Sequence, residues 1–454
     1  MPASPSVPAN LTNLPASPPM KLTKYYASFV IVFAILLSTT IIPSLLPHPK
    51  YLLYFSLLGY FLIVQFRGGK LYILQSQQFR CVASLWLLFY ASEYLTFCLH
   101  GPDSISDIFG FFGISAVLLP LLIVLSTYEK LYGFQSLLRL YVGLCFVISV
   151  PGIIAWALIT FDLVTPHAWF VNIGHLTDGK FPIRGAHFHS APYYLSLVQY
   201  YESALFTLFN IPYQLYRLAG FSSESQYAAL LVAPSLFLIY PAIKKLVVRR
   251  IIFITVLTFL ICTFSATLFS IMFLLSFLYL LRQRNIGLIF LWICASIILI
   301  FFYASHTVTS GDTTQDLLVS KYIGEMTSAS NTYRFMAGIF NTDTLFYPGF
   351  GQYTLRQYAG FFPYVSFYAV IFTVAFIALK LIFSNNEYWQ IGFSALYLII
   401  HCLKGMGPFI LTWPFFGFII WLLCFSFKFP NRKRSLVSLS RVVETPRIQA
   451  TKCL

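Results

Sequence analysis

The chain has 454 residues, of which 58% are hydrophobic and 9% are charged, and its formal net charge is +15. Soluble domains usually carry about 25% charged residues, so this composition and a mean hydropathy of +0.78 exclude a water-soluble fold. A basic excess is typical of nucleic-acid-binding proteins and also of membrane proteins with asymmetric loops. The distribution of the charges along the chain distinguishes the two.

Apolar runs suited to crossing a bilayer follow a Pro-rich lead, residues 1–25, which we expect to be disordered and cytoplasmic. The stretch 251–281 has no charge and has basic residues on both flanks, which predicts a hairpin of two short spans turning near Thr263–Thr267. Together the runs predict an all-α polytopic membrane protein with about 12 transmembrane helices. The other runs lie near 26–46, 51–66, 81–99, 108–126, 138–161, 228–247, 286–304, 364–383, 388–404 and 408–427.

Twelve crossings place both termini in the cytoplasm. Most of the Lys and Arg then lie on the cytoplasmic side, which is the positive-inside pattern. The basic excess therefore indicates topology, with the lipid bilayer as partner and no nucleic acid. The eight residues of this type outside are Lys50, Lys180, Arg184, Arg217, Lys321, Arg334, Arg356 and Lys404. The predicted segments are the lead (1–25), helices 1–5 (26–161), a large periplasmic loop with an interfacial helix (162–227), helices 6–9 (228–304), a second large periplasmic loop (305–362), helices 10–12 (363–427) and a basic cytoplasmic tail (428–454).

The two periplasmic loops hold most of the ionisable residues outside the cytoplasm, and half of the eight His fall between residues 167 and 189. Tyr193–Phe209 has apolar and aromatic residues at helical spacing, which predicts a helix lying at the interface. Its Tyr rings suit either the aromatic belt of a membrane protein or stacking on sugars. The eight Cys show no metal-ligand spacing, so no metal, cofactor or disulfide framework is expected.

Within the predicted spans, Glu93 and His401 are the clearest ionisable residues. An ionisable side chain inside a membrane is a functional candidate. The alternative is an internal hydrogen bond to a neighbouring helix, and both interpretations stay open here.

The segment Arg184–Leu197, RGAHFHSAPYYLSL, resembles the R-x-x-G-F-F-x-E-P-S-Y-L signature of bacterial O-antigen polymerases and related exopolysaccharide polymerases. Residues 330–351, SNTYRFMAGIFNTDTLFYPGFG, resemble the second-loop pattern of that family, in which an Arg precedes Pro-x-Gly-x-Gly. Thr263–Leu281 is similar to the Ser-containing hairpin that precedes a basic cytoplasmic turn there. The resemblance covers about residues 170–385.

This sequence departs from the first signature at two positions. His187 stands where the family has Gly, and Ala191 stands where it has Glu, so a role that rests on that carboxylate does not carry over. The related O-antigen ligases show a His soon after Gly-x-Gly. Here Gly351 is followed by QYTLRQYAGFFPYVSF without His, which favours a polymerase over a ligase.

The resemblance implies transfer of a glycan from undecaprenyl diphosphate to the sugar of a second lipid-linked repeat unit, without nucleotide or metal, in the inner membrane of a bacterium. Arg suits the diphosphate leaving group because its planar fork matches phosphate oxygens. The resemblance also admits a chain-length regulator protein as a further partner. The candidates for binding the diphosphate are Arg184, Arg334, Arg356 and Arg217. The candidates for catalysis are His187, His189, Glu202 and Glu325, and those for contact with the sugars are Tyr193, Tyr194, Tyr333, Gly349 and Gly351.

A lipid-linked oligosaccharide flippase is the main alternative from another functional class. Such transporters have short loops and charges within their helices, whereas here the ionisable groups lie in two long loops. This distribution of ionisable groups between loops and helices favours an enzyme over a transporter. A non-catalytic scaffold of an export complex is a third interpretation that the sequence leaves open.

Overall fold

The computed structural model describes residues 18–39, 49–66, 70–100, 105–161, 163, 190–193, 196–199, 217–222, 225–309, 361–405 and 414–427. Twelve helices and one three-stranded sheet lie within these residues. The helices before the sheet are α1 (Pro18–Thr39), α2 (Pro49–Phe66), α3 (Gln77–His100), α4 (Ile105–Tyr132) and α5 (Phe134–Thr160). The strands are β1 (Ser190–Tyr193), β2 (Ser196–Gln199) and β3 (Arg217–Gly220). The helices after the sheet are α6 (Ser225–Ala242), α7 (Leu246–Cys262), α8 (Ala266–Gln283), α9 (Ile286–Thr309), α10 (Phe361–Ile382), α11 (Gln390–Gly405) and α12 (Pro414–Ser426).

The described part of the chain is mostly helical, and its apolar helices are those of a membrane protein. Phe134–Thr160, Ser225–Ala242 and Val365–Ile382 are long and apolar enough to cross a bilayer, and several shorter apolar helices accompany them. The helical break between Cys262 and Ala266 falls at the predicted hairpin turn. That all twelve helices cross the membrane stays a prediction.

The sheet corrects two expectations from the sequence. The described residues are not all-α, and Ser196–Gln199 of the predicted interfacial helix Tyr193–Phe209 is a strand. Pro192, just before that segment, cannot lie inside a helix without losing a hydrogen bond, and it lies in β1. The strand β2 pairs with β1 on one side and β3 on the other, so long-range hydrogen bonds outweigh the local helical spacing.

The first helix also begins earlier than expected. The predicted lead ends at residue 25, but α1 begins at Pro18, so residues 18–25 are helical. Pro is well suited to the first turn of a helix. Lys24 lies in this first part of α1, and its Nζ is 5.5 Å from the centroid of the Tyr132 ring. The contact ties the beginning of α1 to the end of α4.

Helix α12 lies at the centre of the bundle. Every residue from Phe415 to Ser426 is buried, which is expected for a helix that is apolar on all sides. It packs against α1, α3, α4, α10 and α11. The indole Nε1 of Trp421 donates a hydrogen bond of 2.9 Å to Ser126 Oγ, so its polar atom is satisfied within the core. Helix α9 is the opposite case, since Ile286 is 81% exposed and Phe290 is 65% exposed.

Basic turns gather at one end of the bundle, which we call the basic end. It comprises the start of α1, the turns α2–α3, α4–α5, α6–α7, α8–α9 and α10–α11, and the end of α12. Hydrogen bonds join these parts, including Tyr72 N to Thr127 Oγ1, Arg139 Nε to Ala242 O and Asn386 Nδ2 to Ser426 O. Among the described side chains, all Lys and Arg except Arg217 lie there: Lys24, Lys70, Arg80, Lys130, Arg139, Lys244, Lys245, Arg249, Arg250, Arg282, Arg284 and Lys380.

The contact between α5 and α7 requires a glycine. A Cβ built on Gly152 would lie 2.8 Å from Cε2 of Phe259, whereas a Cβ on Gly143 of the same helix meets nothing within 4 Å. We expect Gly152→Ala to destabilise the protein by about 1–3 kcal/mol through overpacking. Gly143→Ala should be neutral or stabilising, because Ala favours a helix by roughly 0.5–1 kcal/mol. Thermal unfolding in detergent measures both, and equal melting temperatures for the two variants would contradict the proposed packing.

Candidate functional site

The three strands align one residue of each in a row. Ser190 of β1 pairs with Gln199 of β2, and Gln199 pairs with Arg217 of β3. Neighbouring strands lie about 4.8 Å apart, so the backbones in this row span about 10 Å from Ser190 to Arg217. The row lies at the end of the sheet where β1 begins, β2 ends and β3 begins.

This end of the sheet is where the sequence-predicted residues of the first loop join it along the chain. The segment with Arg184, His187 and His189 leads directly into Ser190, and Glu202 follows Gln199 by three residues. The chain therefore enters β1, leaves β2 and enters β3 at the same edge of the sheet, the edge of Arg217. Sequence reasoning did not foresee this convergence, because it depends on strand pairing across the loop.

Strand β3 lies inside the helical bundle. Leu218 and Ala219 are completely buried, and the strand packs against α5, α6 and α7. Gly220 ends it with φ +58, and a Cβ there would lie 3.0 Å from Cζ of Phe259. A positive φ in such a close approach suits glycine alone. The sheet is therefore held by a strand that the helices enclose.

Arg217 fixes this strand to the turn between α7 and α8. Its Nε donates to Thr263 O at 3.2 Å, and its Nη2 donates to Phe264 O at 3.1 Å. Thr263 and Phe264 follow the last residue of α7, and the C-terminal end of a helix carries partial negative charge. The guanidinium group supplies both hydrogen bonds and the opposite charge. Arg217 is thus a positioning residue, and its direct contact with a diphosphate stays a prediction.

The turn that accepts these hydrogen bonds is itself well ordered by local contacts. Thr263 Oγ1 donates to Leu260 O at 2.6 Å. Ser265 caps the start of α8, with its Oγ accepting from Leu268 N at 3.4 Å. Phe264 has φ 43, which is rare for a bulky residue. The two hydrogen bonds from Arg217 therefore add to these local contacts and hold a turn in which Phe264 has an unfavourable backbone conformation.

The sheet row lies far from the basic end. Helix α7 starts there and has 17 residues, which at 1.5 Å each gives about 25 Å up to the turn that holds Arg217. The hydrocarbon core of a bilayer is about 30 Å thick. If α7 crosses the bilayer, the row lies close to the opposite headgroup layer, and Arg217 is the cation there among the described side chains.

The remaining predicted site residues have other outcomes. Tyr193 ends β1, where it pairs with Ser196. No group of three or more His, Cys, Asp or Glu that could hold a metal ion lies in the part of the chain that was described. Eleven predicted residues lie outside the described residues: Arg184, His187, His189, Tyr194, Glu202, Glu325, Tyr333, Arg334, Gly349, Gly351 and Arg356.

His401, the second intramembrane candidate, lies in α11 and is only 4% exposed. Its ring centroid is 5.9 Å from that of Tyr397, one helical turn earlier. Tyr397 belongs to the same helix, so the hydrogen bond to a neighbouring helix stays a prediction. Glu93 lies in α3, and its side chain lies outside the described residues.

No family model, curated protein or solved structure matches this chain. The candidate site therefore stands on its own residues and geometry.

Replacing Arg217 tests its positioning role. Arg217→Ala removes two charge-assisted hydrogen bonds, which are worth about 1.5–3 kcal/mol each, so we expect a lower melting temperature and faster proteolysis between β1 and β3. Arg217→Lys should recover only part of the loss, because an ammonium group keeps the charge but lacks the planar fork that lets a guanidinium group donate to both carbonyls. Arg250→Ala at the basic end is the matched control. Unchanged proteolysis in Arg217→Ala would contradict the assignment.

Proposed function

We propose that this protein is a polysaccharide polymerase that joins lipid diphosphate-linked repeat units at the membrane face opposite the basic end. The growing glycan moves from one undecaprenyl diphosphate to a sugar hydroxyl of a second lipid-linked unit. The product is an O-antigen or a similar surface polysaccharide. The observation that carries the proposal is the sheet row Ser190–Gln199–Arg217, which lies where the signature-like segment Arg184–Leu197 meets the bundle.

The position of this row supports chemistry on a lipid diphosphate. A diphosphate on a membrane lipid lies at the headgroup layer, which is the depth of Arg217 if α7 crosses the bilayer. Six of the fourteen residues of the signature-like segment form β1 and the start of β2. Because β3 holds these strands on the bundle, the residues that precede β1 are tethered to a rigid support. Rigid support is what precise positioning of reacting groups requires.

The reaction breaks one bond and forms one. The anomeric carbon of the donor glycan loses its bond to the diphosphate oxygen and gains a bond to the acceptor hydroxyl oxygen. The hydroxyl proton passes to a base, for which His187 and His189 are the candidates because imidazole titrates near neutral pH. Undecaprenyl diphosphate leaves with the bonding electron pair. Arg184 and Arg334 would stabilise the negative charge that grows on it.

The orientation follows from the charge distribution. We infer that the basic end faces the cytoplasm of a bacterial cell, because positively charged turns are retained there. The loops 162–227 and 305–362 then lie in the periplasm. This arrangement also supports the enzyme over a flippase, since the described Lys and Arg side chains lie in turns or near the ends of helices.

Polymerisation can be measured directly with purified protein and the lipid diphosphate-linked repeat unit, without nucleotide or metal. We expect a ladder of products on a gel. Arg184→Ala and Arg334→Ala should each slow its formation by roughly 10²-fold, the usual cost of losing one donor to transition-state charge. Arg250→Ala, an exposed residue at the basic end, should leave the rate unchanged.

Other outcomes of this experiment would replace the proposal. A single transfer to a different lipid acceptor, without a ladder, would identify a ligase. Movement of labelled lipid across vesicles without any glycan product would identify a flippase. A ladder that is unchanged in both Arg variants would retain the polymerase and reject these two diphosphate contacts.

The orientation has its own test in a cysteine-free variant. Asp178→Cys lies in the first large loop, and Lys245→Cys lies in the exposed turn α6–α7 of the basic end. We expect a membrane-impermeant maleimide to label the first and not the second in cells with a permeabilised outer membrane. Labelling of Lys245→Cys alone would reverse the topology.

A further inference from the structure

A cavity of about 550 Å³ opens at the basic end, between the turn α8–α9 and the turn α10–α11. Its polar lining consists largely of Arg282, Gln283, Arg284 and Asn385. No carboxylate is among the residues that line it. Ligand pockets of proteins measure roughly 300–1,000 Å³, so the cavity has the size and the charge to hold a small anionic group.

Arg282 is held in a fixed orientation beside this cavity. Its Nη1 donates to Ser384 O at 2.8 Å and also to Ile382 O. Its Cζ lies 4.4 Å from the ring centroid of Trp389, which stacks in turn on Tyr279. Its Nε and Nη2 form no hydrogen bond to any described residue. Two adjacent donors on an immobilised guanidinium group suit bidentate binding of a phosphate.

Arg284 supplies a second cation to the same cavity. It is the residue that ends α8, with φ 55 and ψ 31, and its N–H donates to Leu281 O at 3.1 Å. Helices that end in this left-handed conformation usually place Gly or Asn there. An Arg at this position bears a conformational cost, and its exposed side chain lines the cavity.

The residues around the cavity indicate which kind of phosphate it suits. Ile286 and Phe290, at the start of α9, are 81% and 65% exposed, so an apolar surface suited to acyl chains adjoins the cavity. Phe383 lines the cavity itself and is 51% exposed. Nearby, Lys380 on the last turn of α10 adds positive charge, and the exposed Glu387 does not line the cavity.

We propose that this cavity binds the phosphate of an anionic glycerophospholipid headgroup, such as that of phosphatidylglycerol. Arg282 binds two phosphate oxygens, and Arg284 binds the phosphate from the other side. Gln283 and Asn385 provide hydrogen bonds for the polyol of the headgroup. The inference is independent of the polymerase activity, because it concerns the opposite end of the bundle.

Lipid retention in native mass spectrometry tests the site on the full-length protein in detergent. Wild-type protein should retain phosphatidylglycerol more tightly than phosphatidylcholine. Arg284→Gly should weaken phosphatidylglycerol binding about tenfold, the usual effect of one charge-assisted hydrogen bond. Gly adopts the left-handed conformation freely, so this variant keeps the turn, and an unchanged melting temperature verifies that.

Two further variants and a competitor make the result decisive. Arg250→Ala removes an exposed Arg from another turn of the basic end and should leave phosphatidylglycerol binding unchanged. Arg282→Lys keeps the charge and loses the bidentate fork, so it should also weaken binding. Equal affinity of Arg284→Gly and wild-type protein for phosphatidylglycerol would overturn the proposal. Tighter binding of inorganic phosphate than of phosphatidylglycerol, measured by competition at equal concentrations, would overturn the assignment to a lipid.

Discussion

The carbonyl groups of Thr263 and Phe264, in the turn directly after α7, need hydrogen-bond donors from elsewhere in the protein, because a buried polar group is costly without a partner. Next to lipid, an unpaired polar group costs several kcal/mol. Arg217 provides these donors from a segment 46 and 47 residues away in sequence. The same contact fixes β3, β3 fixes β2, and β2 fixes β1. The arrangement of the proposed site thus depends on the capping of one helix.

The positions of the described apolar helices could be predicted from the sequence, because a membrane requires apolar segments of about 20 residues, and such segments are visible in the composition. The turn between Cys262 and Ala266 was predictable as well, since basic residues flank an uncharged stretch too long for one span. The grouping of the basic turns at one end follows from the predicted topology, in which successive helices cross the membrane in opposite directions. These features are local in sequence or follow from counting.

The sheet was not predictable, because its strands are short and its pairings are long-range. Tyr193–Phe209 shows helical spacing, and only the partners of Ser196–Gln199 make that segment a strand. The role of Arg217 was hidden for a similar reason. An Arg near a membrane surface suits a phosphate, a headgroup or a helix terminus equally well, and the choice depends on which carbonyls the fold places beside it.

The burial of α12 on all sides has a consequence for how the protein is assembled. Membrane helices are inserted in the order of their synthesis, and α12 follows the other eleven described helices in the chain. Until it arrives, the helices that pack against it surround a space without its central occupant. The partner of Ser126, the indole of Trp421, is 295 residues away. The centre of the bundle is therefore filled only after the last of the described helices has been made, and until then the helices around it lack their shared packing partner.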